Sequence, residues 1–464
     1  MFKFSEGCDP GYRVQTKNRA IQTEVSAHGI NDSILDKCYN YEHKSMSSQI
    51  PIVWQKAKGF NVWDGAGNKW IDLTSGIFVA NVGHAHPSIK EAIKTAVDND
   101  LLFAYDYPTS IRADFAEYLI KKICRNKFAR VLFQSTGSEA NEAAMKMARM
   151  RFKYRGCKNI IVSLENSFHG KTMGSQLAGG KLKERKWING YNTSNIYLPF
   201  PYPWALEKEG LNGKEFFEKS IEDLMFYHQI SPHDIAGFIT EPYQGWCAIF
   251  LPRDYAIALK SFCHDNHNVL IIDEVQSGFG RTGKMFAYQH LGITPDIITC
   301  GKGISSSLPL SAVLLTEEVS HDTDYSFTST HGGNTLAVAA GLASTKVLIE
   351  EDLVKNSEKM GGILFRELYT WRQENPSQIK GIDGNGLLAG VFIESPDTTN
   401  KMDNRNYVDF VIEEGVRRGV LSIRTSSGTL KIGPPLCITE DAIVESIQVL
   451  KESMSAVNQR LGAK

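Results

Sequence analysis

The sequence predicts an α/β protein organised around a doubly wound sheet, on three observations. Apolar runs of strand length recur along the chain: Arg130–Gln134, Ile160–Ser163, Ile235–Thr240, Val269–Ile272 and Ile297–Cys300. Each suits a buried strand and is too short for a typical helix. Segments of helical period separate several of them. Ionisable residues then stand directly behind two of the runs, Asp273 and Glu274 after the fourth and Lys302 after the fifth. Doubly wound sheets bind ligands at the carboxyl ends of their strands. An acid and an isolated lysine at two such ends suggest one shared ligand.

At 464 residues the chain exceeds the size at which one core keeps growing, which predicts more than one domain. The expected division is an arm with part of a small domain over 1–75, a large domain over 76–340 and a small C-terminal domain over 341–464. A net charge of −1 gives no reason to expect a nucleic-acid partner. No apolar run approaches the about 18 residues of a membrane span, so no membrane partner is expected. The opening Met1-Phe-Lys-Phe-Ser-Glu-Gly lacks the basic-then-apolar order of a secretion signal. Eight cysteines contain no C-x-x-C pair, which argues against a zinc module or disulfide framework and fits a reducing cytoplasm.

In chain order, residues up to about 50 are polar and weakly patterned and read as an arm. Residues 59–76 read as a hairpin: Val62-Trp63 leads into the Asp64-Gly65 turn signal and Trp70–Leu73 returns. His84 and His86 lack further ligand candidates nearby, so their stretch reads as a loop and no metal is expected. Behind Arg130–Gln134 stands Ser135-Thr-Gly-Ser-Glu-Ala-Asn-Glu142, with Ala140, Ala143, Ala144, Met147 and Ala148 at helical spacing. Thr136 and Glu139 have the form of a capping box. A helix starting there aims unpaired N–H groups and its positive dipole end above the strand, and Gly137 lets a phosphate approach the backbone. The same pattern also describes an ordinary capped helix.

Phe168 is either a core aromatic or a flat wall for a planar ring. Residues 180–232, polar and rich in lysine and aromatics, read as surface helices and loops. Glu241-Pro-Tyr-Gln-Gly245 follows the Ile235–Thr240 run, and Tyr255–His264 has helical character. Behind Lys302 lies a small-residue run to Val313, then the hydroxyl-rich loop Phe327–Gly333 and an alanine-rich helix from about Leu336. The rest alternates helix and strand: helices near 349–374, strand Gly390–Glu394, helix 405–418 and strand Thr429–Ile432. A final amphipathic helix carries Ile443, Ile447, Leu450, Met454 and Val457.

Two glycine patterns in residues 278–284 point to a nucleotide, and both fail. The Walker-like G-x-x-x-x-G-K is followed by Met285 rather than the Ser or Thr that holds magnesium. The G-x-G-x-x-G should open a helix, and Thr282-Gly-Lys-Met-Phe-Ala does not. The stretch therefore reads as a turn.

Pyridoxal phosphate fits the residues better. It asks for a lysine to form a Schiff base with its aldehyde, a carboxylate at its pyridine nitrogen, a phosphate cup and a flat wall for the ring. The lysine attacks only as the neutral amine, so burial that lowers its pKa serves it. Lys302, Asp273, the Ser135–Ser138 loop and Phe168 meet these four needs, each weakly alone and more strongly as successive strand ends.

The same residues form a wider pattern: G-H-x-H-P at 83–87, S-T-G-S-E-A-N-E-A at 135–143, F-H-G at 168–170, E-P-x-Q-G at 241–245 and D-E-V-Q-S-G-F-G-R-T-G at 273–283. Together with the interval from Asp273 to Lys302, this resembles the class-III, or ω-, aminotransferases, a family of fold type I pyridoxal phosphate enzymes. The likeness runs from about Gly59 to the last helix. It implies a large mixed, mostly parallel sheet of seven strands and a smaller α/β domain drawn from the two chain ends. By resemblance, Asp273 pairs with the pyridine nitrogen, Val275 and Phe168 cover the two ring faces, Gln276 reaches the ring hydroxyl, and Gly137 and Ser138 hold the phosphate. His169 counts among the cofactor-binding residues, and Glu241 lies close behind them. Thr330 matches a residue that reaches the phosphate of the neighbouring subunit, which implies a homodimer with shared active sites. The implied reaction moves an amino group from an amine or amino acid to a 2-oxo acid, as in 4-aminobutyrate and other ω-amino acid aminotransferases.

Two departures concern substrate. In the 4-aminobutyrate and ornithine branches an arginine before P-P-L clamps the α-carboxylate of glutamate; here Lys431 stands there. The acid that screens that arginine, expected after E-P-x-Q-G, is replaced by Trp246. Lysine lacks the planar bidentate fork, and one good charge-assisted pair is worth about 1.5–3 kcal/mol. Glutamate and 2-oxoglutarate are therefore expected to be handled differently. Ile77 and Phe78 join Lys431 and Trp246 as expected substrate-binding residues, with more apolar surface than a diacid needs. Racemases or epimerases, phospho-lyases and decarboxylases of the family share the cofactor residues and are the alternatives; a nucleotide-dependent enzyme is the distant one.

Overall fold

The computed structural model describes residues 12–23, 25, 32–46, 50–151, 159–188, 194–320, 326–396 and 403–462. Part of the expected N-terminal arm therefore lies outside the described residues. The chain divides into two compact units, residues 87–355 and residues 1–86 together with 356–464.

The first unit is built on seven strands: β1 Arg130–Gln134, β2 Ile160–Leu164, β3 Asn195–Leu198, β4 Ile235–Thr240, β5 Val269–Asp273, β6 Ile297–Cys300 and β7 Ser311–Leu315. Their order is β1-β7-β6-β5-β4-β2-β3. Strands β6, β5, β4, β2 and β3 run parallel, and β7 is antiparallel to both β6 and β1. This is the mixed, mostly parallel sheet that the resemblance implies. Every residue of β4, β5 and β6 is buried, the reason these strands read as continuous apolar runs rather than alternating ones.

Two strands correct the sequence reading. β3 lies in the 180–232 stretch that reads as surface helices and loops. It is an edge strand, only Leu198 of its four residues is buried, and its Asn and Tyr dilute the apolar signal. β7 hides inside the small-residue run behind Lys302. Four helices matter below: α1 Pro87–Asp98, α2 Ser110–Tyr118, α3 Gly137–Met150 and α4 Thr335–Glu350. The alanine face of α3 (Ala140, Ala143, Ala144, Ala148) packs with Ile239, Val269, Ile271 and Ile297 in one core.

In the second unit the predicted hairpin forms between Asn61–Trp63 and Lys69–Asp72, with Val62 opposite Trp70. The Asp64 carboxylate closes the turn by accepting from the Ala66 and Asn68 N–H groups at 3.0 and 2.9 Å. Ala20 adds an antiparallel contact to Lys69, and Val420–Leu421 runs parallel to Ile71–Asp72. A separate antiparallel sheet joins Ile379–Asn385, Leu388–Ile393, Leu430–Ile432 and Ile423–Arg424. The last helix, Glu440–Arg460, buries Ile443, Ile447, Leu450, Met454 and Val457. Among the described residues no helix is long and apolar enough to cross a membrane.

Candidate active site

Three adjacent parallel strands end at one place. Glu241 follows β4, Asp273 ends β5, and Lys302 stands two residues beyond the last residue of β6; Asp273 is in register with Thr299. Beyond β5 the chain folds back on itself. The buried Glu274 carboxylate accepts from the Ala287 and Tyr288 N–H groups at 3.0 and 2.6 Å and from Ser277 Oγ at 2.7 Å. The glycine run between them is a turn, with Gly280 and Gly283 at φ 84° and 79°. It opens no helix, so neither nucleotide pattern has the N-terminus it needs.

Asp273 is 4% exposed and takes three hydrogen bonds from the protein. Its Oδ2 accepts from Asn141 Nδ2 at 2.7 Å and pairs with His169 Nδ1 at 2.9 Å, while Oδ1 accepts from the Val275 N–H at 3.0 Å. A carboxylate only accepts, so His169 carries its proton on Nδ1; its Nε2 is buried and has no hydrogen-bond partner among the described residues. Lys302 keeps some accessible surface, yet the protein around it desolvates the ammonium. Burial lowers its pKa below the usual lysine range, and the charges of Asp273 and Glu241 pull the other way. Its backbone is left-handed, at φ 43°, a conformation that costs an L-residue roughly 1–2 kcal/mol.

The helix expected above β1 begins at Gly137 with its capping box formed. Glu139 Oε2 accepts from the Ser135 and Thr136 N–H groups, and Thr136 Oγ1 accepts from the Glu139 N–H. The N–H groups of Gly137 and Ser138 have no such protein acceptor among the described residues. They are the two donors left for an anion at this helix end. Gly137 has a second reason to be glycine. A Cβ there would stand 2.9 Å from Val275 Cγ1, and one on Gly301 would stand 3.1 Å from the same atom. The Val275 isopropyl group is thus seated in a notch between two glycines, one residue before Lys302. Gly170 allows the F-H-G loop to meet the same helix end, since a Cβ there would lie 2.2 Å from Ser138 Oγ.

Glu241 links two loops. Its Oε2 accepts from the Phe168 N–H at 3.0 Å and its Oε1 from the Gly245 N–H at 2.9 Å. Desolvation, with Asp273's charge adding to it, pushes its pKa up to about 7. The Gln276 amide lies against the same place, 2.9 Å from where a Cβ on Gly245 would be. Trp246 meets Phe168 edge to face at 5.7 Å, and Lys181 Nζ sits 3.0 Å from the Trp246 ring centroid.

Of the expected site residues, Gly137, Ser138, Phe168, His169, Glu241, Trp246, Asp273, Val275, Gln276 and Lys302 all belong to the first unit. Thr330 belongs there too, exposed in its loop. Ile77, Phe78 and Lys431 belong to the second unit, where the buried Lys431 Nζ stands 4.7 Å from the Phe78 ring centroid. His84, set aside as a metal ligand in the sequence, bonds Asp72 Oδ2 through Nε2 at 2.7 Å. Two buried residues were missed: Asn141 and Thr299. The available signal was an Asn on the helical face shared with Ala144 and Ala148, where an apolar residue is the norm.

The donor set fits pyridoxal phosphate: a buried acid, a desolvated lysine, two unpaired N–H groups at a helix start and a ring-bearing loop, all on one sheet edge. Residues 43–454 match the model of the class-III aminotransferase family. The chain is 31% identical over 424 residues to an acetylornithine aminotransferase of Caldanaerobacter subterraneus subsp. tengcongensis, covering 90% of this chain and 99% of that protein. It is 32% identical over 410 residues to the acetylornithine aminotransferase of Bacillus subtilis, covering 87% and 96%. Among solved structures, a Bacillus anthracis aminotransferase is similar with a TM-score of 0.83 at 28% identity, covering 92% of this chain and 98% of that one. The chain belongs to the class-III aminotransferases, fold type I transaminases that work with pyridoxal phosphate.

Proposed function

We propose that the protein moves the terminal amino group of an ω-amino acid to a 2-oxo acid, with an N-acetylated ornithine as the first donor to assay. The observation that carries this is the convergence of Asp273, Lys302 and Glu241 on three adjacent strand ends beside the start of α3. The donor comes from the names of the relatives at 31–32% identity. Pyridoxal phosphate, when bound, supplies a ring that accepts electrons from the substrate carbon. Asp273 holds a proton at the ring nitrogen. Val275 and Phe168 orient the ring from its two faces, Gln276 and His169 complete its surroundings, and the Gly137 and Ser138 N–H groups bind the phosphate. The Lys302 ammonium, which burial makes easier to deprotonate, would as the free amine carry the proton between the substrate carbon and the ring substituent.

By the family resemblance, Lys431 is the residue for the donor's carboxylate, a single point charge, with Ile77 and Phe78 as substrate-binding residues of the second unit and Trp246 as one of the first. The Lys431–Phe78 contact favours one second reading, an apolar amine as donor, because it sets an aromatic face 4.7 Å from the lysine Nζ. Thr330 supports a homodimer with shared sites. Its loop lies against a run of exposed apolar residues, with Phe103 5.1 Å from His331 and Asn334 Nδ2 donating to Leu102 O, and Leu102, Phe103 and Tyr107 are 52%, 45% and 76% exposed. Six free cysteines among the described residues accord with a cytoplasmic setting. A single-turnover donor screen, read as loss of cofactor absorbance near ~420 nm, tests the substrate. N-acetylornithine should react faster than alanine or an arylalkylamine; a fast arylalkylamine with inert N-acetylornithine would favour the second reading and reject the first.

A further inference from the structure

The Asp273 carboxylate is braced by a residue outside the expected site set. Asn141, in the second turn of α3 and 1% exposed, gives both amide hydrogens to this region. One goes to Asp273 Oδ2 at 2.7 Å and the other to the His169 carbonyl at 2.8 Å. Its own carbonyl accepts from Thr299 Oγ1 at 2.6 Å. The Asp273 carboxylate and the His169 carbonyl only accept, so they fix the NH2 end towards themselves and leave the amide oxygen to the Thr299 hydroxyl. Thr299 is 0% exposed and lies on β6, in register with Asp273 on β5. Four elements therefore meet at one side chain: α3, the loop behind β2, β5 and β6.

We infer that Asn141 and Thr299 are a positioning pair for the known reaction, fixing the Asp273 carboxylate towards the cofactor nitrogen and tying it to the helix that holds the phosphate. The inference rests on the reading of Asp273 given above. No other side chain of similar size replaces Asn141. Leucine keeps the shape and loses both donors, and aspartate sets a second carboxylate against the first. Without the brace, His169 and the Val275 N–H alone hold Asp273. With the brace, a shift at the phosphate end of α3 is felt at the ring nitrogen, because Asn141 stands four residues from Gly137.

The test is reconstitution of the apoenzyme with pyridoxal phosphate, reading the dissociation constant by fluorescence and, separately, the apoenzyme's melting temperature. Thr299→Val should weaken cofactor binding about tenfold and Asn141→Leu tenfold or more, about the worth of a hydrogen bond to a charged group. Thr299→Ser keeps the hydroxyl and should bind as the parent does. Because Thr299 acts through Asn141, adding Thr299→Val to Asn141→Leu should change little further. Parent-like binding by Thr299→Val, or losses that simply add in the double variant, would overturn the pair. A melting temperature that falls with no change in cofactor binding would also overturn it, as a purely structural role. Asp273→Asn separates the two levels: if it binds cofactor like the parent, the reading of Asp273 fails; if it binds poorly while Thr299→Val does not, only the pairing fails.

Discussion

Gly137→Ala is a change whose sign should depend on a second residue. By itself the helix start gains from alanine, which restricts the unfolded chain and stabilises by about 0.4–1 kcal/mol where the backbone permits it. Gly137 has no left-handed φ, so the backbone permits it. The new Cβ, however, would lie 2.9 and 3.0 Å from the two methyls of Val275, against the 3.4–4 Å of ordinary contact. Val275 would have to retreat by about half an ångström, and such overpacking costs about 1–3 kcal/mol. The retreat is not local, since the Val275 N–H holds Asp273 Oδ1 at 3.0 Å. Gly137→Ala should therefore lower apoenzyme stability by a net ~1–2 kcal/mol, the difference of those two effects, and weaken pyridoxal phosphate binding. In a Val275→Ala background the methyls are gone and the same substitution should become neutral or stabilising. Melting temperatures and cofactor dissociation constants of the two singles and the double would show it. If Gly137→Ala is as damaging without the valine methyls as with them, the notch is not what requires glycine there.

Three further outcomes follow from the site. Lys302→Ala should lose all turnover and all borohydride-stable attachment of the cofactor; retention of either would remove Lys302 from the chemistry. Glu241 has a folded pKa of about 7 against its ordinary 4.5, so the folded form holds this proton more tightly. Its share of stability is then largest at low pH and falls by about 3 kcal/mol as pH rises from 4.5 to 7. Glu241→Gln should flatten the melting temperature between pH 5 and 8, only in part, because Glu274 is also raised to about 7 and remains; a profile parallel to the parent's would contradict this. Lys431→Arg should improve kcat/KM for glutamate by about 10-fold or more, the worth of one charge-assisted pair. No gain would mean that position 431 does not meet the substrate's carboxylate.

The cofactor end was legible because its parts are local in sequence. A strand buried on both faces shows as an apolar run, and whatever follows it sits at the strand's end; Asp273 and Lys302 needed no more than that. The capping box at Thr136 and Glu139 is likewise a four-residue pattern. What stayed hidden depended on partners far along the chain. Asn141 earned no notice because nothing near it reports Thr299, 158 positions away. Gly137 reads as a phosphate position, while its packing against Val275 comes from the turn behind β5, far along the chain. β3 was missed for a different reason: as an edge strand it has no need of an apolar run.

The residues proposed for the substrate were the least legible, and their backbone shows why. Ser75, Gly76, Ile77 and Phe78 all have positive φ, from 50° to 67°, making one left-handed turn. Only Gly76 adopts that conformation freely; each of the other three costs roughly 1–2 kcal/mol, and Ile77, as a β-branched residue, is an outlier of the kind that the surrounding structure must impose. The imposing contacts come from 431–433. Ser75 Oγ donates to the Gly433 carbonyl at 2.6 Å, and the Gly433 N–H donates to the Leu73 carbonyl at 2.7 Å. Gly433 must itself be glycine, because a Cβ would meet the Phe78 ring at 2.1 Å. The strained turn and the strand bearing Lys431 are therefore one unit, and a change in either moves Phe78 against the lysine. No residue in 75–78 announces a left-handed turn in the sequence, and none of them names Gly433. Gly433→Ala should accordingly alter donor preference before it alters cofactor affinity, because the turn it disturbs belongs to the second unit and the cofactor-binding residues to the first. Equal losses of both, measured by the donor screen and by reconstitution, would show that the two ends are not separable in this way.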